Sequence, residues 1–397
     1  MQYISTNFAY GNGPYLRCID LGIALNKEFG ERNVPEMRMI IPLVYGDRQK
    51  KIMQENFGKY IKENPDSIFL DVTYGNFLND LFFKGNSYRK NLEFLIENQP
   101  KIEEKVNDHL NSEFDVENFE GEKIKIKPHE LAFEVSHNPR VVTYLEKSFY
   151  TTIAFFSEIL QRSMDEPSLK LDKKLLKDAK KIAIKIEKNK DLCFMPEPFT
   201  FSYDSLRKTK GEIFTPPFIH LPEKNNNRIK KGMYVTITGI KELSKLFERI
   251  DEFGMSLYSP PFVNSPHIKQ NNFYSSNILS NKDINFHFAR SGWSSVWSSH
   301  MTLTSLICPK YTKGDDPEIF FNEKSLRKLG IATIFSPDSC PEEILKQTKS
   351  QLKNMKELNK KIIKQYGILD GINYTAKIIA DFLEEKDLSK YPRSPIL

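Results

Sequence analysis

The alternation of short apolar runs with helix-period segments restricts the fold of this sequence more than any other feature. It is clearest in the second half, where five runs have the length and composition of strands: 233–240, 255–258, 284–288, 303–308 and 331–335. Segments of helical period follow several of them, including a helix predicted from Pro317 that ends before Gly330. Strands that alternate with helices at this spacing are typical of a parallel sheet.

The first half begins in the same way. A β-prone run leads into a glycine-containing loop and a helix-period segment, and two further strand candidates follow: 3–6, 7–14, 16–25, 39–44 and 67–72. Beyond these, the pattern predicts mostly helix, over 91–110, 144–164 and 169–190.

A stretch rich in proline and asparagine separates the two halves and ends at residues 225–227. Such composition before a fresh apolar strand is typical of a linker between domains. We therefore predict two α/β domains, at 1–225 and 226–397. The final helix could pack back onto the first domain.

Composition excludes several classes of protein. The 397 residues are 39% hydrophobic and carry a net charge of +6, which suits a large globular chain and a phosphate-bearing ligand. No nucleic-acid recognition motif accompanies that charge, so we expect no nucleic-acid partner. No metal-ligand spacing occurs among the His, Cys, Asp and Glu residues, so we expect no metal. No secretory leader and no membrane-spanning run is evident, so we expect a protein that is not secreted.

The loop that contains Gly11 and Gly13 is the first of three candidate ligand loops. In doubly wound sheets, ligands bind beyond the carboxyl ends of the strands, where loops lead into helices. Glycines there allow the backbone to approach a diphosphate or a sugar at a helix N-terminus. The alternative is a simple tight turn, because the third glycine of a dinucleotide fingerprint is missing.

The second candidate loop is Arg290-Ser291-Gly292-Trp293, which follows a predicted strand. Arginine can bind phosphate oxygens through two parallel hydrogen bonds, and the serine hydroxyl and backbone N–H groups are further donors. The alternative is a serine helix cap with Trp293 and Trp297 buried in the core.

The third candidate loop carries Asp315, Asp316 and Glu318. One of the aspartates could cap the helix that begins at Pro317. Three carboxylates within four residues exceed what a cap requires, and a carboxylate at a strand end can hold ribose hydroxyls. Glu318 is the preferred functional residue of the three.

Two further features have both a functional and a structural interpretation. His137 could contact an acceptor hydroxyl or a donor phosphate, or it could be a structural loop histidine, whereas His287 lies within a predicted strand and is interpreted as core. The lysine-rich segment 169–190 could be a solvated helix face or a helix that lies in the plane of an anionic membrane. Phe82, Phe83, Phe155 and Phe156 offer another candidate membrane-facing patch.

The organisation of the whole chain resembles a GT-B glycosyltransferase, which has two Rossmann-like, doubly wound domains facing a cleft. Four runs are also similar to the cyanobacterial and plastid-type digalactosyldiacylglycerol synthases: 10–15, 136–140, 287–293 and 315–322. The resemblance implies transfer of a hexose, galactose in that family, from a UDP-sugar to a glycolipid such as monogalactosyldiacylglycerol. It also implies a peripheral membrane protein on the cytoplasmic side or in the stroma, with no cofactor besides the donor.

The resemblance also assigns residues. Catalysis would fall to His137 and Glu318. The donor would be bound by the residues of the three loops and of the loop after the first strand of the second domain: Gly11, Gly13, Gly239, Lys241, Arg290, Ser291, Gly292, Trp293, Asp315, Asp316 and Glu318. The sequence departs from many retaining members, which carry a second glutamate seven residues after the first, because Leu326 stands at that position. The stereochemical outcome is therefore left open.

Three other functions remain compatible with the sequence. The first is a GT-B glycosyltransferase with a soluble or polysaccharide acceptor. The second is a GT-B-fold sugar epimerase, and the third is a non-catalytic protein that binds sugar nucleotides. The sequence makes no prediction of the oligomeric state.

Overall fold

The computed structural model of this chain describes residues 3–8, 12–81, 87–126, 130–237, 248–249, 254–261, 263, 267–268, 276–336 and 338–396. These residues form two β-sheets, of nine and five strands. The strands of the first sheet are β1 (Ile4–Phe8), β2 (Arg38–Pro42), β3 (Ile68–Asp71), β4 (Phe114–Glu117), β5 (Lys123–Ile126), β6 (Leu131–Val135), β7 (Lys147–Thr151), β8 (Leu192–Pro196) and β9 (Ile213–Thr215). Those of the second are β10 (Gly232–Val235), β11 (Ser256–Tyr258), β12 (Ile284–Phe288), β13 (Ser305–Pro309) and β14 (Thr333–Phe335).

Both sheets have the doubly wound order that the sequence predicts. The first runs β5-β4-β3-β2-β1-β6-β7-β8-β9 and is parallel except for β4 and β5, which pair antiparallel. The second runs β11-β10-β12-β13-β14 and is parallel throughout. The strand order reverses at β1/β6 and at β10/β12, so the carboxyl ends of these pairs are where a ligand crevice is expected.

Ten described helices cover the sheets. They are α1 (Asn12–Glu31), α2 (Gly46–Glu63), α3 (Val72–Leu81), α4 (Tyr88–Leu110), α5 (Phe156–Asp165), α6 (Lys173–Glu187), α7 (Trp293–Thr302), α8 (Pro317–Leu329), α9 (Pro341–Tyr366) and α10 (Gly371–Leu383). Short 3-10 turns lie at Pro167–Leu169 and Ser276–Ser280. The ends of α8 follow the local chemistry: Asp316 accepts from the Glu318 N–H at the start, and Gly330 takes a φ of 61° at the end.

The middle of the chain is less helical than predicted. Residues 147–151 of the predicted helix 144–164 form strand β7, which pairs with β6 and β8. Phe149 and Tyr150 are almost completely buried there, and aromatic side chains favour strands when both faces of a sheet are covered. The antiparallel strands β4 and β5 were not predicted.

The lysine-rich segment does not present its apolar stripe to the outside. Within α6, the side chains of Leu176, Ala179, Ala183 and Ile186 are buried, and the helix packs on α5 and α4. Packing within the domain covers most of this stripe, which favours the solvated-helix interpretation. Contact of this segment with a membrane stays a prediction. Phe155 and Phe156 are likewise core residues, at 3% and 1% exposure, while Phe82 and Phe83 lie outside the described residues. No described helix has both the length and the apolar character needed to span a membrane.

The last helix, α10, packs against α1 of the first domain. At this contact Arg32, directly after α1, binds Asp381 and Glu384 through its Nη1 atom, at 2.9 and 2.6 Å. The chain thus returns to the domain with which it began. One apolar cluster also runs through both domains, from Tyr15 and Phe133 to Trp293 and Leu326.

Candidate functional site

Two helix N-termini meet where the two domains face each other. Helix α1 begins at Asn12, just after β1, and α7 begins at Trp293, just after β12. They approach so closely that a Cβ atom added to Gly13 would lie 3.3 Å from Ser294 Oγ. Backbone N–H groups and the positive ends of two helix dipoles therefore converge on one place, which favours an anion.

His137 crosses the cleft to the carboxylates of the second domain. It lies just beyond β6, and its Nε2 donates to Asp316 Oδ2 at 3.2 Å and lies 3.5 Å from Glu318 Oε2. His137 and Asp316 side chains are about a quarter exposed, at 26% and 27%, whereas Glu318 is 9% exposed. His137 and Glu318, which are 181 positions apart in the sequence, thus belong to one charged cluster.

The charged groups of this cluster shift one another's pKa values. Burial acts to lower the pKa of His137, but the carboxylates of Glu318 and Asp316 outweigh it and raise the pKa to about 9. Burial acts to raise the pKa of Asp316, yet His137 holds it below its usual value. For Glu318 burial prevails and raises the pKa. With this raised pKa, His137 is a positively charged hydrogen-bond donor at neutral pH.

Asn322 fixes Glu318 and Trp293 in place. Its Nδ2 donates to Glu318 Oε1 and to the Ser291 carbonyl oxygen, and its Oδ1 accepts from Trp293 Nε1 at 2.8 Å. The same indole N–H lies 3.1 Å from Thr200 Oγ1 in the first domain. Asn322 is fully buried, so it positions the Glu318 carboxylate from the interior of the domain. The sequence prediction missed it, although its place one turn after Glu318 on a predicted helix was a usable signal.

Arg290 and Ser291 stand at the start of α7 in different settings. Arg290 is half exposed, and its Nη2 donates to Asp315 Oδ2 at 2.7 Å. Thr312 donates to the same carboxylate oxygen at 2.8 Å. Ser291 is buried, and its Oγ has no hydrogen-bond partner among the described residues. Gly292 has extended backbone and precedes the helix, and no side chain caps the N–H groups of Trp293 and Ser294. The next N–H group, that of Ser295, donates to the Gly292 carbonyl oxygen at 3.0 Å.

A cavity of about 330 Å³ opens between these groups. Both domains line it. The lining residues of the first domain are Pro14, Arg17, Val135, Ser136, His137, Thr151, Thr152, Ile153 and Phe218. The lining residues of the second domain are Gly292, Trp293, Ser294, Ser295, Trp297 and Glu318. We call it the central cavity. Arg17, Thr151, Thr152 and Phe218 were not predicted; Thr151 and Thr152 were missed because their segment was predicted to be helical.

The structure brings most of the predicted site residues together. Seven of them lie at or beside the central cavity: Gly13, His137, Ser291, Gly292, Trp293, Asp316 and Glu318. Arg290 and Asp315 pair with each other just before α7 and α8. Gly11, Gly239 and Lys241 lie outside the described residues. His287 is buried within β12, as predicted. Within the described part of the chain, no cluster of three His, Cys, Asp or Glu side chains could hold a metal ion.

Solved structures of similar fold span nearly the whole chain. A UDP-glucosyltransferase from Polygonum tinctorium capable of glucosylating indoxyl is 10% identical, with a TM-score of 0.58 over 97% of this chain and 99% of that one. The glycotransferase of kitacinnamycin is also 10% identical, with a TM-score of 0.57 over 98% of this chain and 99% of that one. A glycosyltransferase from Streptomyces nogalater is 10% identical, with a TM-score of 0.54 over 96% of this chain and 99% of that one. No protein-family model matches the sequence, and no curated protein matches it.

These structures confirm the predicted fold class. The chain has two doubly wound α/β domains in the GT-B arrangement, with the crevice between them. At this level of identity the likeness extends to the fold and not to the reaction. The galactolipid part of the sequence resemblance stays a prediction.

Proposed function

We propose that this protein is a glycosyltransferase that moves a hexose from a UDP-sugar to a hydroxyl group of an acceptor. The observation that carries the proposal is the His137–Asp316–Glu318 cluster, which joins the two domains at the N-terminus of α8. His137 and Glu318 line the central cavity together with the start of α7. The fold shared with the UDP-glucosyltransferase from Polygonum tinctorium supports the choice of donor.

The geometry suits stabilisation of a leaving diphosphate. The N–H groups at the start of α7 and the guanidinium of Arg290 would bind its oxygens, since negative charge develops there as the glycosidic bond breaks. Arg290 would exchange its bond to Asp315 for bonds to phosphate. The imidazolium of His137 is a further donor on the opposite wall.

Glu318 is suited to hold the transferred sugar. Its carboxylate is buried, fixed by Asn322 and turned to the central cavity, so it can accept hydrogen bonds from two sugar hydroxyls. Trp293 and Trp297 supply flat apolar walls for the faces of the sugar ring or of an acceptor. The volume of about 330 Å³ suits a hexose and a compact acceptor group.

The finer part of the proposal concerns the sugar and the acceptor. The resemblance of the sequence points to galactose, to monogalactosyldiacylglycerol and hence to a membrane surface on the cytoplasmic side or in the stroma. The small-molecule names of the structural neighbours instead favour a soluble acceptor, as in the protein capable of glucosylating indoxyl. The buried apolar face of α6 also removes one argument for a membrane.

A transfer assay tests both the glycosyltransferase activity and the choice of sugar and acceptor. Purified protein is incubated with labelled UDP-glucose or UDP-galactose and either vesicles containing monogalactosyldiacylglycerol or a panel of soluble phenols and alcohols. A glycosylated product supports the proposal, and its identity fixes donor and acceptor. Formation of an epimeric UDP-sugar without an acceptor would instead identify an epimerase. Donor binding without any turnover would favour a binding protein.

A further inference from the structure

The segment that follows β8 lies behind the wall of the central cavity and contacts three of its lining residues. The Pro198 carbonyl oxygen accepts from Trp297 Nε1 at 2.9 Å, and Thr200 Oγ1 lies 3.1 Å from Trp293 Nε1. The Thr200 backbone N–H donates to the Ile153 carbonyl oxygen at 3.1 Å. All three partners line the cavity. We call the stretch from Pro198 to Thr200 the support segment, because it holds this part of the wall from the interior.

Glu197 fixes the chain at the point where the support segment begins. Its backbone N–H donates to the Thr215 carbonyl oxygen of β9 at 2.9 Å. Its side chain is fully buried, and both carboxylate oxygens accept hydrogen bonds, Oε2 from the Tyr366 hydroxyl group and Oε1 from the Ile396 backbone N–H. Removing a carboxylate from water costs free energy unless donors compensate it, so these two donors determine where the side chain lies.

The two donors to the Glu197 carboxylate belong to separate parts of the fold. Tyr366 is the last residue of α9, which packs on β13 and β14 of the second sheet. Ile396 lies beyond α10. Glu197 therefore ties the end of β8 to α9 and to the segment after α10. Because Pro198 is the next residue in the chain, a displacement of Glu197 also moves the carbonyl group that holds Trp297.

We propose that Glu197 is a positioning residue for hexose transfer, which fixes the support segment and through it the plane of Trp297 in the wall of the central cavity. This inference rests on the proposed glycosyltransferase function and adds a residue that lies behind the cavity wall. Trp297 should depend on the support segment more than Trp293 does, because Asn322 provides a second acceptor for the Trp293 indole N–H. A displacement of about 1 Å in a group that contacts a substrate can lower the rate about a hundredfold.

Intrinsic fluorescence tests this inference without requiring turnover. The whole chain contains two tryptophans, Trp293 and Trp297, and both line the central cavity. Tryptophan emission, excited where tyrosine does not absorb, therefore reports on this wall alone. The emission maximum and the quenching by acrylamide are measured first, and the turnover number is then measured in the transfer assay.

Three variants of the Glu197 contacts and one control are compared with the wild type. Glu197→Ala removes both acceptor oxygens, and Tyr366→Phe removes one donor and keeps the ring. Glu197→Gln is the conservative variant, since its amide oxygen can still accept from the Ile396 N–H and its amide N–H groups can donate to the Tyr366 oxygen. The control, Asn26→Ala, removes hydrogen bonds of 2.7 and 3.0 Å to the Met37 backbone from a buried side chain of α1 that does not line the cavity.

In Glu197→Ala we expect tryptophan emission at longer wavelength, stronger quenching and a turnover number about ten- to a hundredfold lower. Tyr366→Phe should change the same three quantities in the same direction but less, and it replaces Glu197→Ala in the test if that variant does not fold. Glu197→Gln should keep the wild-type emission and a turnover number within about threefold of the wild type. Asn26→Ala should lower the melting temperature but leave the emission and the turnover number unchanged.

Two results would overturn the inference. One is wild-type emission and turnover in both Glu197→Ala and Tyr366→Phe. The other is a loss of turnover in Asn26→Ala as large as in Glu197→Ala, which would assign the effect to a general loss of stability. Failure of the proposed function has a different signature, in which the wild type transfers no hexose while the emission of Glu197→Ala still shifts.

Discussion

At the scale of single residues, His137 is the group whose protonation decides what the site can do. Its pKa is raised to about 9 by Glu318 and Asp316, against the opposing effect of burial. A histidine that binds its proton more tightly in the folded state than in the unfolded state stabilises the fold below its unfolded pKa, about 6.5. That contribution declines as the pH rises and is lost above about 9.

We therefore predict that His137→Gln lowers the free energy of unfolding most between about pH 5 and 6.5. The difference from the wild type should shrink steadily above that range and vanish above about pH 9, since His137 is then neutral in both states. Urea denaturation at a series of pH values measures it. An equal difference at pH 6 and pH 9.5 would show that the ion pairs with Asp316 and Glu318 contribute nothing.

Arg290 allows a second prediction at this scale. Arg290→Ala should lower the turnover number of hexose transfer about a hundred- to a thousandfold, the usual cost of removing one donor to a developing oxyanion. Because the side chain is half exposed, the variant should retain the wild-type melting temperature. Asp315→Asn is the matched control, since it breaks the same ion pair but leaves the guanidinium. Equal losses in both variants would mean that only the pair matters.

Most of the described residues that the sequence predicts for the site lie close together, but the contacts between them were not predicted. Strand-to-helix loops pointed to His137, Arg290 and Glu318 separately, because such loops collect at the carboxyl edge of a parallel sheet. The ion pair between His137 and the carboxylates depends on how the two domains face each other, which no local pattern encodes. The buried Asn322 was missed for a related reason, since its function is to hold other residues.

At the scale of elements, burial explains which predictions held. In the second domain, strands β12 and β13 and helix α8 were found close to their predicted bounds, because short apolar runs alternate there with clear helix signals. Strand β7 was missed, since the aromatic run that contains Phe149 and Tyr150 is apolar on both sides and periodicity does not distinguish a buried strand from a buried helix. The edge strand β5 and its neighbour β4 are short and carry charges, so their pattern was weak.

The start of α10 provides the prediction for this scale. A Cβ atom on Gly371 would lie 2.3 Å from the Pro216 carbonyl oxygen and 2.4 Å from that of Pro217. Both are backbone atoms, so Gly371→Ala must move the helix away from the segment that follows β9. We expect a loss of about 1–3 kcal/mol in the free energy of unfolding, the usual cost of overpacking.

Gly58→Ala is the control for that experiment. Gly58 lies inside α2, and nothing would come within 4 Å of its Cβ. The substitution should stabilise the protein by about 0.5–1 kcal/mol through helix propensity alone. If urea denaturation gives both variants the same sign, the close approach of α10 to residues 216–217 does not constrain the fold.

At the scale of the whole molecule, two features connect the domains: the tryptophan contacts of α7 and the return of the chain through α10. Trp293 and Trp297 of α7 donate their indole N–H groups to Thr200 and to the Pro198 carbonyl oxygen of the first domain. Helix α10 follows the second domain in sequence but packs on α1 of the first. A ligand in the cleft is therefore surrounded by groups whose relative position depends on both connections.

Asp381 is the residue on which the α10 connection depends most. It is 4% exposed, and its carboxylate accepts from Arg32, Lys390 and Tyr391, which together hold its pKa at about 2 against the effect of burial. Its contribution to stability is thus present above its unfolded pKa, near 3.8, and is lost only as the pH falls towards 2. At neutral pH, Asp381→Ala removes the acceptor of Lys390 and Tyr391 and one of the acceptors of Arg32, which keeps its contacts with Glu384 and Glu28.

We predict that Asp381→Ala destabilises the protein by about 3 kcal/mol at pH 7, as expected for breaking a buried ion pair. Hydrogen exchange should accelerate in α1 and α10 and stay unchanged in α8 and β13, because the lost contacts lie on the α1 side of the first domain. Glu357→Ala is the control: its ion pair with Lys360 on α9 is exposed on both sides, so exchange should not change. Accelerated exchange confined to α10 would mean that α1 is stable without this contact, and that the C-terminal helix only rests on the first domain.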